Sequence, residues 1–301
     1  MRTSGVESVE MDEQLLHLLL QEQHPDLAEL PVHLAATGWD NQLWRLGDTL
    51  AVRVPRTERA PSLLRKEHEW VPILARRLPL PVPIPVRIGE ASEQFPLPWI
   101  ITTWVPGEPA DRAPITRGRH AAETLADFLR ALHQAAPHDA PVNWKRGVAL
   151  RALTEEFERK CHSLGPDGDV LAIGKIWDEA VSAPEWHGPP TWFHGDLHPA
   201  NVVVSEGSLS GVLDFGELGA GDPATDLAAA WLLLPANESA AFFENYAAAD
   251  DAMIQRARGW AVFIGVSLIG IGQAWERGLP GGQPTWGRAG RNTLNRVLRS
   301  S

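Results

Sequence analysis

A change in hydrophobic periodicity at Pro106-Gly107 divides the chain into two parts of different character. Before this point, short apolar runs have the alternation typical of β-strands, at residues 34–36, 42–46, 50–54, 82–88 and 99–105. Between them, residues 62–78 carry apolar side chains at three- and four-residue steps, which indicates a helix that ends at Pro79. The sequence therefore predicts a small sheet with one helix in residues 1–106.

Residues 107–301 are dominated by longer segments with helical periodicity. These segments lie around Leu125 and Leu132 and at residues 150–164, 170–181, 223–234, 240–249 and 253–275. The strong strand signals here are at 202–204 and 209–215, with Gly207 in the turn between them. We therefore expect an α+β protein with two lobes, residues 1–106 and 107–301.

Composition narrows the class of protein. A chain of 301 residues with 44% apolar content can bury a substantial core. Its single cysteine, Cys161, cannot form an internal disulfide. The N-terminus has no signal-peptide pattern, and the apolar stretch 260–274 is shorter than the roughly 20 residues of a membrane span. These features predict a cytoplasmic protein that does not enter a membrane.

Charge is distributed unevenly along the chain. The net charge of −11 argues against a nucleic-acid partner, because phosphate backbones select basic surfaces. Residues 150–251 contain four basic and 18 acidic side chains, whereas residues 252–301 contain seven arginines and one glutamate. The acidic segment would attract a cationic ligand, although acidic surfaces also serve solubility alone.

A cluster of polar residues between 194 and 216 suggests chemistry. Asp196 and Asn201 are five residues apart, and Asp214 follows Asn201 by 13. A loop followed by a two-stranded ribbon would bring these three side chains to one rim. Phosphoryl transfer needs a carboxylate to orient the acceptor hydroxyl and hard oxygen ligands for Mg²⁺.

The same residues allow two other interpretations, a zinc site and purely structural roles. His194 and His198 have the spacing of a helical zinc pair, but the intervening Gly195 and the following Pro199 disfavour a helix. Asp196 as a cap and Asp214 as a turn residue would be ordinary structural roles. Those roles do not account for the joint spacing with Asn201.

The motifs His-Gly-Asp-Leu-His-Pro-Ala-Asn at 194–201, Leu-Asp-Phe-Gly-Glu at 213–217 and Gly-Asp-Pro-Ala-Thr-Asp-Leu at 221–227 resemble the aminoglycoside phosphotransferase family, relatives of the protein kinases. This resemblance implies a protein-kinase-like fold with a small antiparallel N-terminal sheet. It also implies that Asp196 is the catalytic base and that Asn201 and Asp214 bind magnesium. His194 and Asp226 would hold the loop.

The resemblance extends to a phosphate-binding cation. Its expected position on the third strand is Arg53, where most relatives carry lysine. Arginine keeps the charge and can bind phosphate through two nitrogens. Glu67 would be the helix glutamate that holds this cation, with Glu69 as the alternative and a solvated helix charge as the ordinary role of either.

Nucleotide contacts are implied at two further places. The sequence Thr-Gly-Trp-Asp-Asn at 37–41 corresponds to the glycine-rich loop of the family but has a single glycine, Gly38. The Thr103 carbonyl and the Val105 N–H would contact the edge of a purine. The implied cofactors are Mg²⁺ and either ATP or GTP, because backbone contacts alone do not choose between the two purines.

The acceptor is expected to be a small molecule with a hydroxyl group, for which the acidic segment favours a cationic one, and no obligate protein partner is evident. Acidic residues that could bind ammonium groups are Glu217, Asp222, Glu238, Glu244, Asp250 and Asp251, each of which could also be a solvated surface residue. An aminoglycoside or other antibiotic is the first expectation. The family also contains enzymes that phosphorylate macrolides, hygromycin, homoserine, choline and fructosamine. Arg53 and the sparse glycine loop leave a non-catalytic nucleotide-binding protein as the alternative.

Overall fold

The structure, a computed structural model, describes residues 11–165 and 169–300. The chain separates into two compact units. The first unit contains the residues before Arg77 together with Val82–Val105, and the second contains Arg77–Pro81 and the residues from Pro106 onward.

The first unit is built on a five-stranded antiparallel sheet of order β1-β2-β3-β5-β4. In chain order its elements are α1 (Glu13–Gln23), β1 (Val32–Thr37), β2 (Asn41–Leu46), β3 (Leu50–Pro55), α2 (Ala60–Leu74), β4 (Pro85–Gly89) and β5 (Trp99–Thr103). Gly47, with a φ of 57°, provides the left-handed residue in the tight turn between β2 and β3. The sheet with one following helix matches the sequence prediction, whereas α1 was not predicted.

Helix α1 packs on the sheet through leucines. Leu16, Leu19 and Leu20 join a buried cluster with strand residues such as Trp44 and Val52. The Asp12 carboxylate caps the helix by accepting a hydrogen bond from Leu15 N at 2.8 Å. The apolar spacing and the cap were both present in the sequence, so this helix could have been predicted.

Two of the predicted boundaries differ from those observed. Helix α2 ends at Leu74 rather than at residue 78, and it contains Pro72, whose missing N–H leaves the His68 carbonyl without its helical hydrogen bond. Strand β4 starts at Pro85 rather than at residue 82. Instead of extending the strand, the Val82 carbonyl accepts from the Thr103 hydroxyl at 3.3 Å.

The second unit is mainly helical. Its elements are β6 (Glu108–Pro109), α3 (Gly118–Leu132), α4 (Thr154–His162), α5 (Val170–Ser182), β7 (Thr191–Phe193), β8 (Val202–Ser205), β9 (Ser208–Val212), β10 (Gly219–Gly221), α6 (Ala224–Leu227), α7 (Ala229–Leu232), α8 (Ser239–Tyr246), α9 (Asp251–Glu276) and α10 (Trp286–Arg299). Two small antiparallel groups, β6-β8-β9 and β10-β7, lie among these helices.

Helix α9 forms the core of the second unit and packs against α10. A Cβ on Gly272 would lie 2.4 Å from Gly287 Cα, so glycine permits the two helices to approach closely. Helix α10 was not predicted, since its surface is rich in arginine and its contact residues are partly glycines. Over 26 residues α9 has the length and apolar content of a membrane span, which exceeds the predicted stretch 260–274, but 72% of its most apolar window is buried within the structure.

Candidate active site

The loop that follows β7 carries the predicted base, and a glycine sets its path. Gly195 has a φ of 84°, and a Cβ at this position would lie 2.7 Å from the Glu217 carbonyl oxygen. Any side chain here would combine an unfavourable backbone conformation with a steric clash. The loop therefore passes directly against the 215–217 turn, which places Asp196 beside that turn.

A buried carboxylate fixes this loop through hydrogen bonds to its backbone. Asp226 is 1% exposed, and its two oxygens accept hydrogen bonds from the backbone N–H groups of His194, at 2.6 Å, and Gly195, at 2.8 Å. The His133 ring lies 3.2 Å from the same carboxylate and contacts the Tyr246 hydroxyl at 2.8 Å. Burial and the nearby Asp226 raise the pKa of Tyr246 above its usual range, so this hydroxyl stays neutral.

The imidazole of His194 connects the loop to the end of β9. Its Nδ1 accepts a hydrogen bond from Asp196 N at 3.2 Å, so Nε2 carries the proton that is donated to the Leu213 carbonyl at 2.9 Å. Because both ring nitrogens are used, His194 cannot be a zinc ligand. The residues that the structure describes also contain no group of three or more His, Cys, Asp or Glu side chains placed to hold a metal.

The β8–β9 hairpin brings Asn201 and Asp214 together. Leu213 N donates to the Asn201 carbonyl at 2.8 Å, which extends the hairpin pairing by one step. Asp214 then adopts a left-handed conformation, with a φ of 57°, and its Oδ1 accepts from Gly216 N at 3.1 Å. A strained non-glycine residue that turns its carboxylate at the end of a hairpin is a frequent feature of functional sites.

The Asp196 carboxylate is 29% exposed and engaged mainly through one oxygen. Its Oδ2 accepts from Asn201 Nδ2 at 3.0 Å and lies 3.4 Å from His198 Nε2. Its Oδ1 accepts no hydrogen bond within the described residues and lies 3.8 Å from Arg146 Nη2. One accessible oxygen is therefore available to accept a proton from a ligand.

The charge state of Asp196 is fixed by its neighbours. Burial raises the pKa of this carboxyl, but the nearby His198, its hydrogen bond to the carboxylate and the charge of Arg146 lower it by more. The resulting pKa lies well below the usual range. Asp196 is consequently ionised throughout the neutral pH range and can act as a proton acceptor.

Two side chains in contact with this loop escaped the sequence analysis. Arg146 Nε donates to the Gly195 carbonyl at 2.8 Å, and its guanidinium faces Asp196. Asn143 Nδ2 donates to both the carbonyl and Oε2 of Glu217, at 2.8 and 2.9 Å. Arg146 belongs to a basic pair just before the acidic segment, which is the sequence signal available for it. Nothing in the local sequence connects Arg146 to a residue 49 positions later, or Asn143 to one 74 positions later.

The donor set at Asn201 and Asp214 fits Mg²⁺. Asp196 oxygens can only accept hydrogen bonds when ionised, so the Asn201 atom that faces them must be Nδ2. This leaves Asn201 Oδ1 with no hydrogen-bond partner in the described residues, and the Asp214 side chain is exposed. An amide oxygen and a carboxylate are the hard oxygen ligands that Mg²⁺ prefers, with water completing the shell.

The first unit contains the predicted cation and its partner. Arg53 on β3 donates to the Glu67 carboxylate on α2, and both side chains are buried. Glu69, the alternative, is exposed. A buried ion pair of this kind costs about 3–5 kcal/mol when one partner is removed, so it fixes the guanidinium firmly.

The remaining first-unit residues lie at turns and at the end of β5. Gly38 N donates to the Asn41 carbonyl at 2.9 Å and closes the β1–β2 turn. Thr103 N donates to Ile84 O at 2.9 Å. Val105 is buried, and its N–H donates to no acceptor within residues 11–165 and 169–300. An unsatisfied buried amide is costly, which is consistent with an N–H that a ligand completes.

The structure shows where the acidic candidates for acceptor binding lie, and it corrects one of them, Asp222. Asp222 is buried, accepts from Arg256 Nε at 2.7 Å and caps Ala224 N, so its carboxylate is unavailable to a ligand. Asp250 caps α9 through Met253 N at 2.7 Å. Glu244 is exposed and lies 3.9 Å from Arg119. Glu217 contacts the Asp196 loop through Gly195, as described above.

Comparison with known proteins shows the family to which the chain belongs. A family model described as the phosphotransferase enzyme family matches residues 32–260. The aminoglycoside 3′-phosphotransferase of Escherichia coli is 26% identical over 165 residues, which cover 48% of this chain and 60% of that protein. The chain thus spans about 60% of the length of this curated relative.

Solved structures share the fold. Aminoglycoside 2′-phosphotransferase-IIIa, solved as a GDP complex, has a TM-score of 0.71 at 19% identity and covers 96% of this chain and 99% of its own. Macrolide 2′-phosphotransferase type I has a TM-score of 0.61 at 18% identity, with 93% and 96% covered. The predicted α+β, protein-kinase-like fold is confirmed.

Proposed function

Since the chain belongs to the phosphotransferase enzyme family, we propose that it transfers the γ-phosphate of ATP or GTP to a hydroxyl group of a small molecule, with Mg²⁺. The observation that carries this proposal is the Asp196 carboxylate, which is ionised, has one accessible oxygen and is linked by hydrogen bonds to Asn201 and through His194 to the strand that ends before Asp214.

In this reaction, Asp196 orients the acceptor hydroxyl and takes its proton at Oδ1 as the oxygen forms a bond to the γ-phosphorus. The bond from that phosphorus to the bridging oxygen breaks, and the nucleoside diphosphate leaves. Asn201 and Asp214 would hold Mg²⁺, which would supply charge neutralisation at the phosphates. In the first unit, Arg53 would bind phosphate oxygens, and the Val105 N–H would donate to the purine. These contacts leave the choice between ATP and GTP to binding measurements.

The pH dependence provides one prediction. Because the pKa of Asp196 is lowered, protonation of this base should not reduce kcat/KM between about pH 5 and 8. In His198→Gln, Asp196 loses the imidazole that lies 3.4 Å from its Oδ2 and lowers its pKa, so the pKa of Asp196 rises and the acid limb of the kcat/KM profile moves to higher pH. An acid limb that stays in place in this variant would contradict the assigned role of His198.

The acceptor proposed first is an aminoglycoside, on the family resemblance and the acidic segment. One observation favours a second, neutral class such as a macrolide. The Arg146 guanidinium lies 3.8 Å from the oxygen of Asp196 that would receive the proton, and a cation here repels an ammonium group close to the reacting hydroxyl.

Arg146 therefore gives a test of acceptor class. For a polycationic aminoglycoside, Arg146→Gln should lower KM several-fold, and raising salt from about 0.05 to 0.5 M should raise KM far more than it raises the KM of the nucleotide. Arg151→Gln, which removes an exposed arginine paired with Glu185, is the matched control. A KM that depends on neither salt nor Arg146 points to a neutral acceptor.

A transfer assay with radiolabelled ATP and GTP, run against panels of antibiotics and small metabolites, tests the function as a whole. Transfer to an aminoglycoside or macrolide supports an antibiotic kinase, and transfer to an amino or sugar alcohol supports a metabolite kinase. Nucleotide binding measured by thermal shift, without transfer to any acceptor, would favour the non-catalytic alternative.

A further inference from the structure

A cavity of about 490 Å³ lies in the second unit, away from the residues of the candidate active site. Its walls come from α7, α8, α9 and α10 and from the segment between α7 and α8, and include Trp231, Phe243, Arg258, Arg296, Arg299 and Ser300. None of its lining residues belongs to the 194–217 segment. A volume of this size is within the range of about 300–1,000 Å³ for small-molecule sites.

Two aromatic side chains line the cavity. The rings of Trp231 and Phe243 have centroids 5.4 Å apart at an interplanar angle of 50°. Trp231 Nε1 donates to the Ser300 hydroxyl at 2.9 Å, which fixes the orientation of the indole. The pair forms a preorganised apolar wall on which a planar ring can pack.

The last turn of α10 contributes two positively charged side chains to the cavity. Arg296 and Arg299 are three residues apart and both line the cavity. Arg296 Nη1 donates to the carbonyls of Trp231 and Leu232 at 3.0 and 3.2 Å, which anchors its guanidinium at the end of α7. No carboxylate of the described chain pairs with Arg296 or Arg299, and no Asp or Glu lines the cavity.

The electrostatics of this cavity are therefore unbalanced. Burial lowers the pKa of Arg296, which reflects desolvation of a cation without a compensating anion. The surrounding segment, residues 252–301, is basic overall, with seven arginines and one glutamate, although one of these arginines, Arg256, is paired with Asp222. A bound anion would supply the missing charge through hydrogen bonds to the two guanidinium groups.

We propose that this cavity binds a small organic anion that carries a planar aromatic ring. The ring packs against Trp231 and Phe243, and the carboxylate, sulfonate or phosphate group contacts Arg296 and Arg299. The proposal is independent of the phosphotransferase reaction, because the site lies outside the active-site residues and its test does not measure activity.

The test uses 2-naphthalenesulfonate as the probe and isothermal titration calorimetry with the full chain. We expect saturable one-to-one binding and at least tenfold weaker binding of the neutral analogue 2-naphthalenemethanol. Arg299→Gln should weaken sulfonate binding about tenfold, since one charge-assisted hydrogen bond is lost from an exposed residue whose replacement leaves the fold intact. Arg296→Gln should weaken binding further, with its folding checked by thermal melting.

Arg288→Gln is the matched control, because Arg288 is an exposed arginine of α10 that does not line the cavity. Its affinity for the sulfonate should equal that of the unmodified chain. Absence of saturable binding, equal affinity for the neutral analogue, or the same affinity in Arg299→Gln and Arg288→Gln would each overturn the proposal.

Discussion

Replacing Asp196 by asparagine lowers kcat for phosphoryl transfer by about 10²–10⁴-fold and leaves the nucleotide Kd nearly unchanged. The amide cannot accept a proton in the transition state, although its oxygen can still accept from Asn201 Nδ2, which is 3.0 Å from Asp196 Oδ2. A base acts on the transition state rather than on ground-state binding, so kcat falls much more than affinity. Steady-state kinetics with the best acceptor, together with nucleotide titration, measure both quantities.

The matched control for this substitution is Asp178→Asn, at an exposed position on α5. It makes the same chemical change away from the site and should retain the parent kcat. If Asp196→Asn turned over at the parent rate, Asp196 would have no part in the mechanism and the proposed reaction would need a different base.

The largest effect on stability is expected for Asp226→Ala, which lowers the free energy of unfolding by about 3–5 kcal/mol. The substitution removes the acceptor of two buried backbone N–H groups, those of His194 and Gly195, and the partner of His133. Activity falls as well, because these two amides fix the loop that positions Asp196. Urea denaturation and kinetics on the folded fraction separate the two effects.

Thr225→Val is the control for this variant. Thr225 is the buried neighbour of Asp226, and its hydroxyl has no hydrogen-bond partner in the part of the chain that the structure describes. Its replacement by an isosteric apolar side chain should change stability by less than about 1 kcal/mol. Equal destabilisation by the two substitutions would show that packing, rather than the hydrogen bonds of Asp226, holds the loop.

The sequence predicted the elements around the site well where periodicity was clear. The β-strand runs at 42–46 and 50–54 lie within β2 and β3, and the runs at 202–204 and 209–215 overlap β8 and β9, although β9 ends at Val212, three residues before the predicted end. It missed α10, whose buried positions recur at helical spacing but include glycines and a threonine among many arginines, and β7, a strand of three residues. Such short or glycine-packed elements depend on neighbours for their stability rather than on their own pattern.

The roles of individual acidic residues could not be predicted from the sequence and required the structure. Asp196 and Asp222 look alike as members of an acidic segment, yet one is partly exposed beside the active-site loop and the other is buried against Arg256, 34 residues later. Choosing between Glu67 and Glu69 likewise required the structure, in which Glu67 is buried against Arg53 and Glu69 is exposed. A carboxylate has the same chemistry in each role, so its sequence neighbours cannot distinguish them.

The sequence alone predicted a sheet-rich and a helical part and the grouping of Asp196, Asn201 and Asp214, because a loop and one hairpin bring residues within about 20 positions together whatever the rest of the chain does. Tertiary structure alone decided that Arg146 faces the base, that Asp222 is a core ion pair, and that Arg296 and Arg299 line a cavity with Trp231. These contacts join residues from 34 to 69 positions apart, and they form only when helices and loops pack.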